Sequence, residues 1–444
     1  MNAIKWLYPG LKIKRWLGLA FVGMFLTGIG LALVVAPRLI ALLPTAKRFL
    51  GSGQTAPLAG GIILMLLGTF LFLTGFRRMV RSILAVMLPQ NEGPIVEVVY
   101  QKRHLQKGPR IVAIGGGTGL SVLLRGLKNY TSNLTAIVTV SDDGGSSGRL
   151  RGELGILPPG DTRNCLVALA DTESLMEKLI NYRFDQGKGL AGHSLGNLLL
   201  AALTDITGGF DKAVKEIGKV LALRGRVLPS TLDNVVLCAE LEDGTIVEGE
   251  TRISSSRGRI RKVFLKPPDV APLKEAIEAI EQADAVVLGP GSLYTSVLPN
   301  LLVRGLREAL ERTKAPIFYV CNVMTQPGET TGYTAYDHLK ALVDHCGPGL
   351  VDYVVVNVAP IPRKLLARYR EQGAYPVRVN RAALARQGVK VMEERLIDKS
   401  NLIRHDPDKL ARCIIRQVLA GRNPAARLKI LEHYLAERIR EAKG

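Results

Sequence analysis

Acidic residues are nearly missing from the first quarter of this chain. Residues 1–110 hold 14 Lys and Arg against only Glu92 and Glu97, so twelve of the twenty excess positive charges of the 444-residue sequence fall there. A nucleic-acid-binding globular domain would carry its basic patch on the folded part, and the remainder of the chain is close to balanced. Nucleic acid is therefore excluded as the expected partner. Cysteine is scarce and scattered: Cys165, Cys238, Cys321, Cys346 and Cys413 are odd in number and form no C-x-x-C. That pattern excludes a disulfide framework or a zinc site and suits a reducing compartment. Aromatics are only 5% of residues, and no internal repeat or low-complexity tract is visible.

What is present explains the charge. Trp16 to Ala36 and Phe49 to Phe76 are free of charged residues and rich in Leu, Val, Phe and Gly. Each run is long enough to cross about 30 Å of hydrocarbon as a helix. Lys5, Lys12, Lys14 and Arg15 precede the first, Arg77, Arg78 and Arg81 follow the second, and Arg38, Lys47 and Arg48 lie between. This bias places both flanks in the cytoplasm with a short outer hairpin. The alternative is a pair of buried core helices. The expected division is an anchor over 1–81, with membrane helices at about 16–36 and 56–76, and a connector over 82–108. A folded domain over 109–400 and C-terminal helices over 401–444 follow.

From Pro109 onward, short apolar runs ("RIVAIGG", "LTAIVTV", "ADAVVLGPG", "APIFYVCN", "VDYVVVNV") alternate with amphipathic helical patterns. Runs without period-2 alternation suit strands covered on both faces. The expected fold class is α/β, a Rossmann-like, doubly wound, mostly parallel sheet. "NVVLCAELEDGTIVEGETRIS" instead predicts a small antiparallel hairpin with a type I′ turn at Asp243-Gly244. Asp406-Pro407 opens a helix ending near Gly421, and Asn423-Pro424 opens another.

The polar loops carry the chemistry. "IVAIGGGTGLSVLLRGL" reads as strand, glycine turn and helix, in which Gly115, Gly116, Gly117, Thr118 and Gly119 bring backbone amides toward a phosphate. Leu120 replaces the last glycine of the G-x-G-x-x-G pattern, and a purely structural turn is the alternative. "SDDGGSSGRL" follows the second strand with Ser141, Asp142, Asp143, Gly144, Gly145 and Ser146. Its carboxylates suit a ribose hydroxyl or Mg²⁺ bridging phosphate oxygens, with Asp142 and Asp143 as the metal pair. An Asx-turn at Asp142 is the plainer reading. "PPGDTRNCLVALAD" adds Asp161, Arg163 and Asn164, Asp161 reading equally as a helix N-cap. "AGHSLGNLLLAAL" places His193 and Asn197 one helical turn apart. "VVLGPGSLYTSVLP" repeats the strand-end pattern with Gly289, Gly291 and Ser292, and "FYVCNVMTQPGET" leaves Asn322 and Gln326 past another strand. In a doubly wound sheet such loops converge on one crevice.

These five motifs, from the glycine turn to "VVLGPGSLYTSVLPNLLV", together resemble the YvcK family, the gluconeogenesis factors of the CofD-like superfamily. The resemblance runs from about Arg110 to about Ile397. It implies a Rossmann-like protein that binds UDP-activated sugars, notably UDP-N-acetylglucosamine, and bears on cell shape, wall precursors and gluconeogenic growth. No catalytic residue is expected, and no organic cofactor beyond the nucleotide ligand. Expected partners are the UDP-sugar, the membrane, cell-wall synthesis or regulatory proteins, and a second copy of the chain in a homo-oligomer. The related CofD enzymes, which transfer a phospholactyl group to a deazaflavin with Mg²⁺, supply the alternative function. A nicotinamide-dependent oxidoreductase is the weaker third. The two apolar spans depart from the commonest soluble members and imply the cytoplasmic membrane as location.

Overall fold

The computed structural model describes residues 14–41, 55–87, 103, 105–171, 174–256, 258–398 and 402–421. They divide between two compact units, Met1–Lys102 and Arg103–Gly444. Most of the expected connector and the helix expected from Asn423 lie outside the described residues.

In the first unit two helices, α1 (Lys14–Ala41) and α2 (Thr55–Met87), pair as a hairpin. Their spans Arg15–Val35 and Leu58–Ser82 are long and apolar enough to cross a membrane. Glycines determine how they pack. Gly23 and Gly30 on α1, and Gly61, Gly68 and Gly75 on α2, recur every seventh residue and are all buried. A Cβ at Gly68 would stand 2.5 Å from the backbone nitrogen of Thr27, and one at Gly23 would stand 2.3 Å from that of Phe72. Backbone therefore meets backbone along the whole seam. The large side chains face outward, with Phe25 69% and Phe70 66% exposed. Small residues inside and large apolar ones outside is the arrangement helices adopt in lipid, where burying Leu and Phe against protein gains nothing. Helices of a water-soluble core would be arranged the other way round.

The second unit is built on a seven-stranded sheet in the order β10-β9-β8-β7-β1-β2-β3. Its strands are β1 (Ile111–Gly115), β2 (Leu134–Val138), β3 (Arg226–Pro229), β7 (Ala285–Leu288), β8 (Ile317–Val320), β9 (Tyr353–Asn357) and β10 (Lys390–Glu394). Every pairing is parallel. β1, β2, β7 and β8 are buried at every position, as strands covered on both faces must be. The order reverses between β1 and β7, because the chain leaves β1 toward β2 and later returns on its other side. The carboxyl ends of those two strands flank the crevice where doubly wound sheets bind ligands.

A separate antiparallel sheet, β5-β4-β6, holds β4 (Val236–Leu241), β5 (Ile246–Glu248) and β6 (Ile260–Lys266). The hairpin turn differs from type I′, which needs positive φ at both central residues. Only Gly244 has it, at φ +84°, and its N–H donates to Leu241 O at 3.0 Å. This is the three-residue loop in which a type I turn is followed by a left-handed glycine. The strand also stops early: Gly249, at φ +96°, turns the chain into the helix Glu250–Ser255. The helix Pro407–Ala420 starts as expected, the Asp406 carboxylate accepting from the Asp408 and Lys409 amides.

Candidate functional site

The glycine turn after β1 shows why side chains are missing there. Gly117 stands at φ +63°, a left-handed conformation that a Cβ disfavours. It opens the helix Gly117–Leu127, whose N-cap Gly116 has no side chain to cap it. The amides that follow Gly117, those of Thr118 and Gly119, are thus available to an anion. At Gly119 the reason is space, since a Cβ would lie 2.5 Å from Pro290 O. The loops after β1 and β7 therefore touch, backbone to backbone, at the switch point. Gly289, at φ +75°, bends the second loop. Asn322, just past β8, pins it: Nδ2 donates to Gly291 O at 2.8 Å, and Oδ1 accepts from Gly291 N at 3.3 Å. The same Nδ2 donates to Gln326 Oε1 at 3.1 Å.

A cleft of about 600 Å³ opens between these loops. Gly116, Gly117, Thr118, Gly119, Gly291, Ser292, Asn322 and Gln326 line it, eight of the residues singled out from the sequence. Gly115 and Gly289, where β1 ends and the second loop begins, are outside the lining and adjoin each other, a Cβ on Gly115 standing 3.7 Å from Gly289 Cα. Among the other lining residues, Glu250, Ser254, Glu329, Tyr369, Arg404 and His405 escaped the sequence reading.

The two cleft carboxyls behave oppositely. Glu329 is buried and accepts hydrogen bonds from Ser292 Oγ at 2.6 Å, Ser254 Oγ at 2.9 Å and Thr295 Oγ1 at 3.3 Å. It ties the loop after β7 to the helix Glu250–Ser255. Glu250 Oε2 is buried with no hydrogen-bond partner. Burial, then the charges of Asp142, Asp161, Glu329 and Asp143, push its pKa up to about 9. At neutral pH Glu250 is a protonated donor. His405 is buried as well, and burial pushes its pKa down to about 4, leaving a neutral ring with Nε2 unpartnered. Tyr369 Oη accepts from Ile403 N at 3.2 Å and holds this wall in place. Among the described lining residues, Tyr369 is the only phenyl or indole-type ring and Arg404 the only guanidinium or ammonium.

The loop after β2 forms a neighbouring array. Asp142 Oδ1 accepts from Gly144 N at 2.9 Å, so the Asx-turn is present. Asp143, expected beside Asp142 as a metal ligand, commits one oxygen to a helix. Its Oδ1 accepts from Thr251 N at 2.9 Å and Thr251 Oγ1 at 2.7 Å, capping the helix Glu250–Ser255. Asp142 also lies close enough to Asp161 for its charge to act on that carboxyl. Asp161 is not an N-cap, because Pro158 holds that position in the helix Pro159–Leu169. Its carboxylate takes the Gly117 N–H, and burial, then the charge of Asp142, raises its pKa to about 6. A Cβ on Gly116 would stand 2.4 Å from Asp161 Oδ2, so the glycine turn rests on this acid. Arg163 is engaged within the protein: it donates to Ser194 Oγ, and to Asn164 Oδ1 at 2.7 Å. His193 Nδ1 and Asn197 Nδ2 converge on Ser146 Oγ at 2.9 and 3.0 Å. Ser141 Oγ pairs with Thr139 Oγ1 at 2.9 Å, and Gly145, at φ +47°, begins the helix Gly145–Leu154. None of these side chains lines the cleft; Asp161 and Glu250 join the array to it.

Among the described residues no three His, Cys, Asp or Glu side chains converge as a metal cage. Asp142 with Asp161 still suits Mg²⁺, which binds through one or two carboxylates and completes its shell with phosphate oxygens and water.

Comparison with known proteins adds to this geometry. Residues 111–397 match the family model of 2-phospho-L-lactate transferase CofD. A gluconeogenesis factor of Nostoc sp. is 49% identical over 418 residues, covering 93% of this chain and 92% of its own length. One from Clostridium acetobutylicum is 43% identical over 454 residues, covering 99% and 98%. The gluconeogenesis factor of Bacillus subtilis is 52% identical over 308 residues, 69% of this chain and 97% of its own. A crystal structure of a Bacillus halodurans protein superposes with a TM-score of 0.69 at 53% identity, covering 70% of this chain and 100% of that one.

Proposed function

We propose, from the premise that this chain belongs to the CofD family and stands among its gluconeogenesis factors, that it is a nucleotide-sugar-binding regulator anchored to the cytoplasmic membrane. The observation that carries this reading is the cleft at the switch point between β1 and β7, lined by the first turn of the helix Gly117–Leu127, whose Thr118 and Gly119 amides remain beyond the one that Asp161 accepts. Its volume of about 600 Å³ suits a ligand the size of UDP-N-acetylglucosamine. In this reading the diphosphate meets the amides of Thr118 and Gly119, with Arg404 as its counter-charge. Tyr369 offers the ring on which a base can stack. Neutral Glu250 donates to a ligand oxygen, a role an ionised carboxylate beside a phosphate could not fill. Asp142 and Asp161 would hold Mg²⁺, which neutralises phosphate charge when bound.

The family match motivates a role in cell shape, envelope synthesis and gluconeogenic growth, exerted through cell-wall or regulatory proteins by a homo-oligomer. The second reading, a CofD-type Mg²⁺-dependent phospholactate transferase, is favoured by the Asp142–Asp161 pair and by the family description. It asks for a flat deazaflavin acceptor, to which the lining offers the single ring of Tyr369.

Titration calorimetry of the full chain with UDP-N-acetylglucosamine, GDP and NAD, with and without Mg²⁺, separates these readings. We expect heat with the UDP-sugar and none with NAD. Gly117→Val should abolish it, because a β-branched side chain resists φ +63° and fills the anion's place. Equal binding of all three nucleotides, or full affinity in the variant, overturns the assignment. Turnover of a GDP-linked phospholactyl donor would move the protein to the transferase reading. For the anchor, a reporter after Gly444 should be cytoplasmic and one near Gly51 external. Release of the chain by carbonate would refute insertion.

A further inference from the structure

The membrane-type hairpin ends in a cluster that neither its packing nor the cleft accounts for. α1 carries Arg15-Trp16 in its first turn, and α2 carries Arg77, Arg78 and Arg81 just beyond its apolar run. The glycine seam brings these ends together, since a Cβ on Gly75 would stand 2.7 Å from Ala20 N and 2.9 Å from Trp16 O. The Arg78 guanidinium then lies 4.5 Å from the centre of the Trp16 ring, and that of Arg15 lies 5.2 Å from it. One indole holds two cations at the end of a helix pair.

Nothing within the hairpin balances this charge. Neither helix contains an acidic residue, and among the described residues no ion pair engages Arg15, Arg77, Arg78 or Arg81. Arg78 and Arg81 are also three residues apart on one helix, a spacing at which side chains are neighbours and like charges repel. A cluster that repels itself and lacks an internal partner requires a counter-ion from outside. At the end of a membrane-spanning pair the anion in continuous supply is a lipid phosphate. Arg binds phosphate through its planar fork, and Trp prefers the headgroup depth.

We propose that Arg15, Trp16, Arg78 and Arg81 form a binding site for the phosphodiester headgroup of an anionic glycerophospholipid in the cytoplasmic leaflet. The ring orients the guanidinium groups, and the phosphate supplies the missing negative charge. The site rests on the reading that the hairpin is embedded in a membrane.

The chain has two tryptophans, Trp6 and Trp16, so Trp6→Phe leaves Trp16 as its sole indole emitter. The full chain with that substitution is reconstituted in mixed phosphatidylcholine–phosphatidylglycerol vesicles, with brominated acyl chains on one lipid or the other. Brominated phosphatidylglycerol should quench Trp16 several-fold more strongly than brominated phosphatidylcholine at equal mole fraction. Arg78→Gln combined with Arg81→Gln should bring the ratio to one, while Arg78→Lys should keep most of the preference. Equal quenching by both lipids, or a preference untouched by the double substitution, overturns the site. Loss of the preference on adding millimolar inorganic phosphate also overturns it, in favour of a soluble-anion site. Quenching by neither lipid is a separate result, which refutes membrane insertion itself.

Discussion

Replacing Glu250 by Gln tests the electrostatics of the cleft most directly. The carboxyl has its pKa raised from 4.5 to about 9 by burial and by the charges of Asp142, Asp161, Glu329 and Asp143. A raised carboxyl pKa means that the folded protein holds a proton which the unfolded chain releases. Below pH 4.5 both states are protonated and the group is neutral in its effect. Between pH 4.5 and 9 stability falls with rising pH, by about 1.4 kcal/mol per unit. At pH 7 the accumulated cost is about 3 kcal/mol, and partial solvent access brings it nearer 2. Gln cannot ionise and keeps the shape, so the variant should be about 2–3 kcal/mol more stable at pH 7, or roughly 5 °C in Tm. The assay is urea unfolding of residues 103–444 between pH 5 and 9. This unit should fold alone, because the Bacillus subtilis relative spends 97% of its length matching 69% of this chain. His405, with its pKa lowered to about 4, acts in the opposite sense: its contribution is lost as pH falls below 6.5. It is common to both proteins and cancels in the difference. The difference should be below about 1 kcal/mol at pH 5 and widen toward pH 9. Parallel curves would refute the claim that Glu250 is protonated in the fold.

The two loop carboxylates should respond differently to Asn. Asp142→Asn should weaken Mg²⁺-dependent UDP-sugar binding at least tenfold, as expected for losing one charged interaction. Asp143→Asn should change affinity only a few-fold but cost about 1 kcal/mol of stability, since its contacts are with Thr251 and cap a helix; calorimetry and urea unfolding of both variants distinguish the outcomes. Gly126→Ala places a Cβ 2.0 Å from Pro407 O, so the helices Gly117–Leu127 and Pro407–Ala420 must separate. Urea unfolding should show a loss of about 1–3 kcal/mol, and wild-type stability would mean that the interface yields without cost.

The legible parts of the fold are those where one physical constraint acts locally. β1, β2, β7, β8 and β9 announce themselves because burial on both faces demands unbroken apolar runs. The edge strands do not. β3 is four residues long and ends in Pro229, and β10 reads "KVMEE", pairing only with β9. Gly249 was equally opaque, since only its φ of +96° shows that the strand ends there and a helix begins. The same distinction runs through the site. The glycine turns are visible because backbone must approach backbone or an anion at those positions. Glu250 and His405 are not, because their properties come from what surrounds them: acids 89 to 108 positions earlier in the chain act on one, and burial neutralises the other. Arg404 had no local signal beyond a cation ahead of the Asp406-Pro407 helix start.

The proposed ligand site has an apparent contradiction in its charges. An anion is expected at the Gly117 helix N-terminus, yet Asp161 accepts the Gly117 amide and Asp142, Glu250 and Glu329 lie close by. Four ionised carboxylates would repel a diphosphate. The folded protein already removes part of that charge: Glu250 is protonated, and Asp161, with its pKa raised to about 6, is near its own titration. Glu329 directs its charge into three hydroxyls. Asp142 and the ionised fraction of Asp161 remain. A divalent cation between them and the phosphates would turn the residual repulsion into attraction. Ligand and cation should then bind cooperatively, each raising the affinity of the other by the same factor. An anion arriving without the cation would have to bring a proton instead, onto Asp161. Binding without Mg²⁺ should therefore be weaker, take up a proton, and improve as pH falls toward 6, whereas binding with Mg²⁺ should show neither effect.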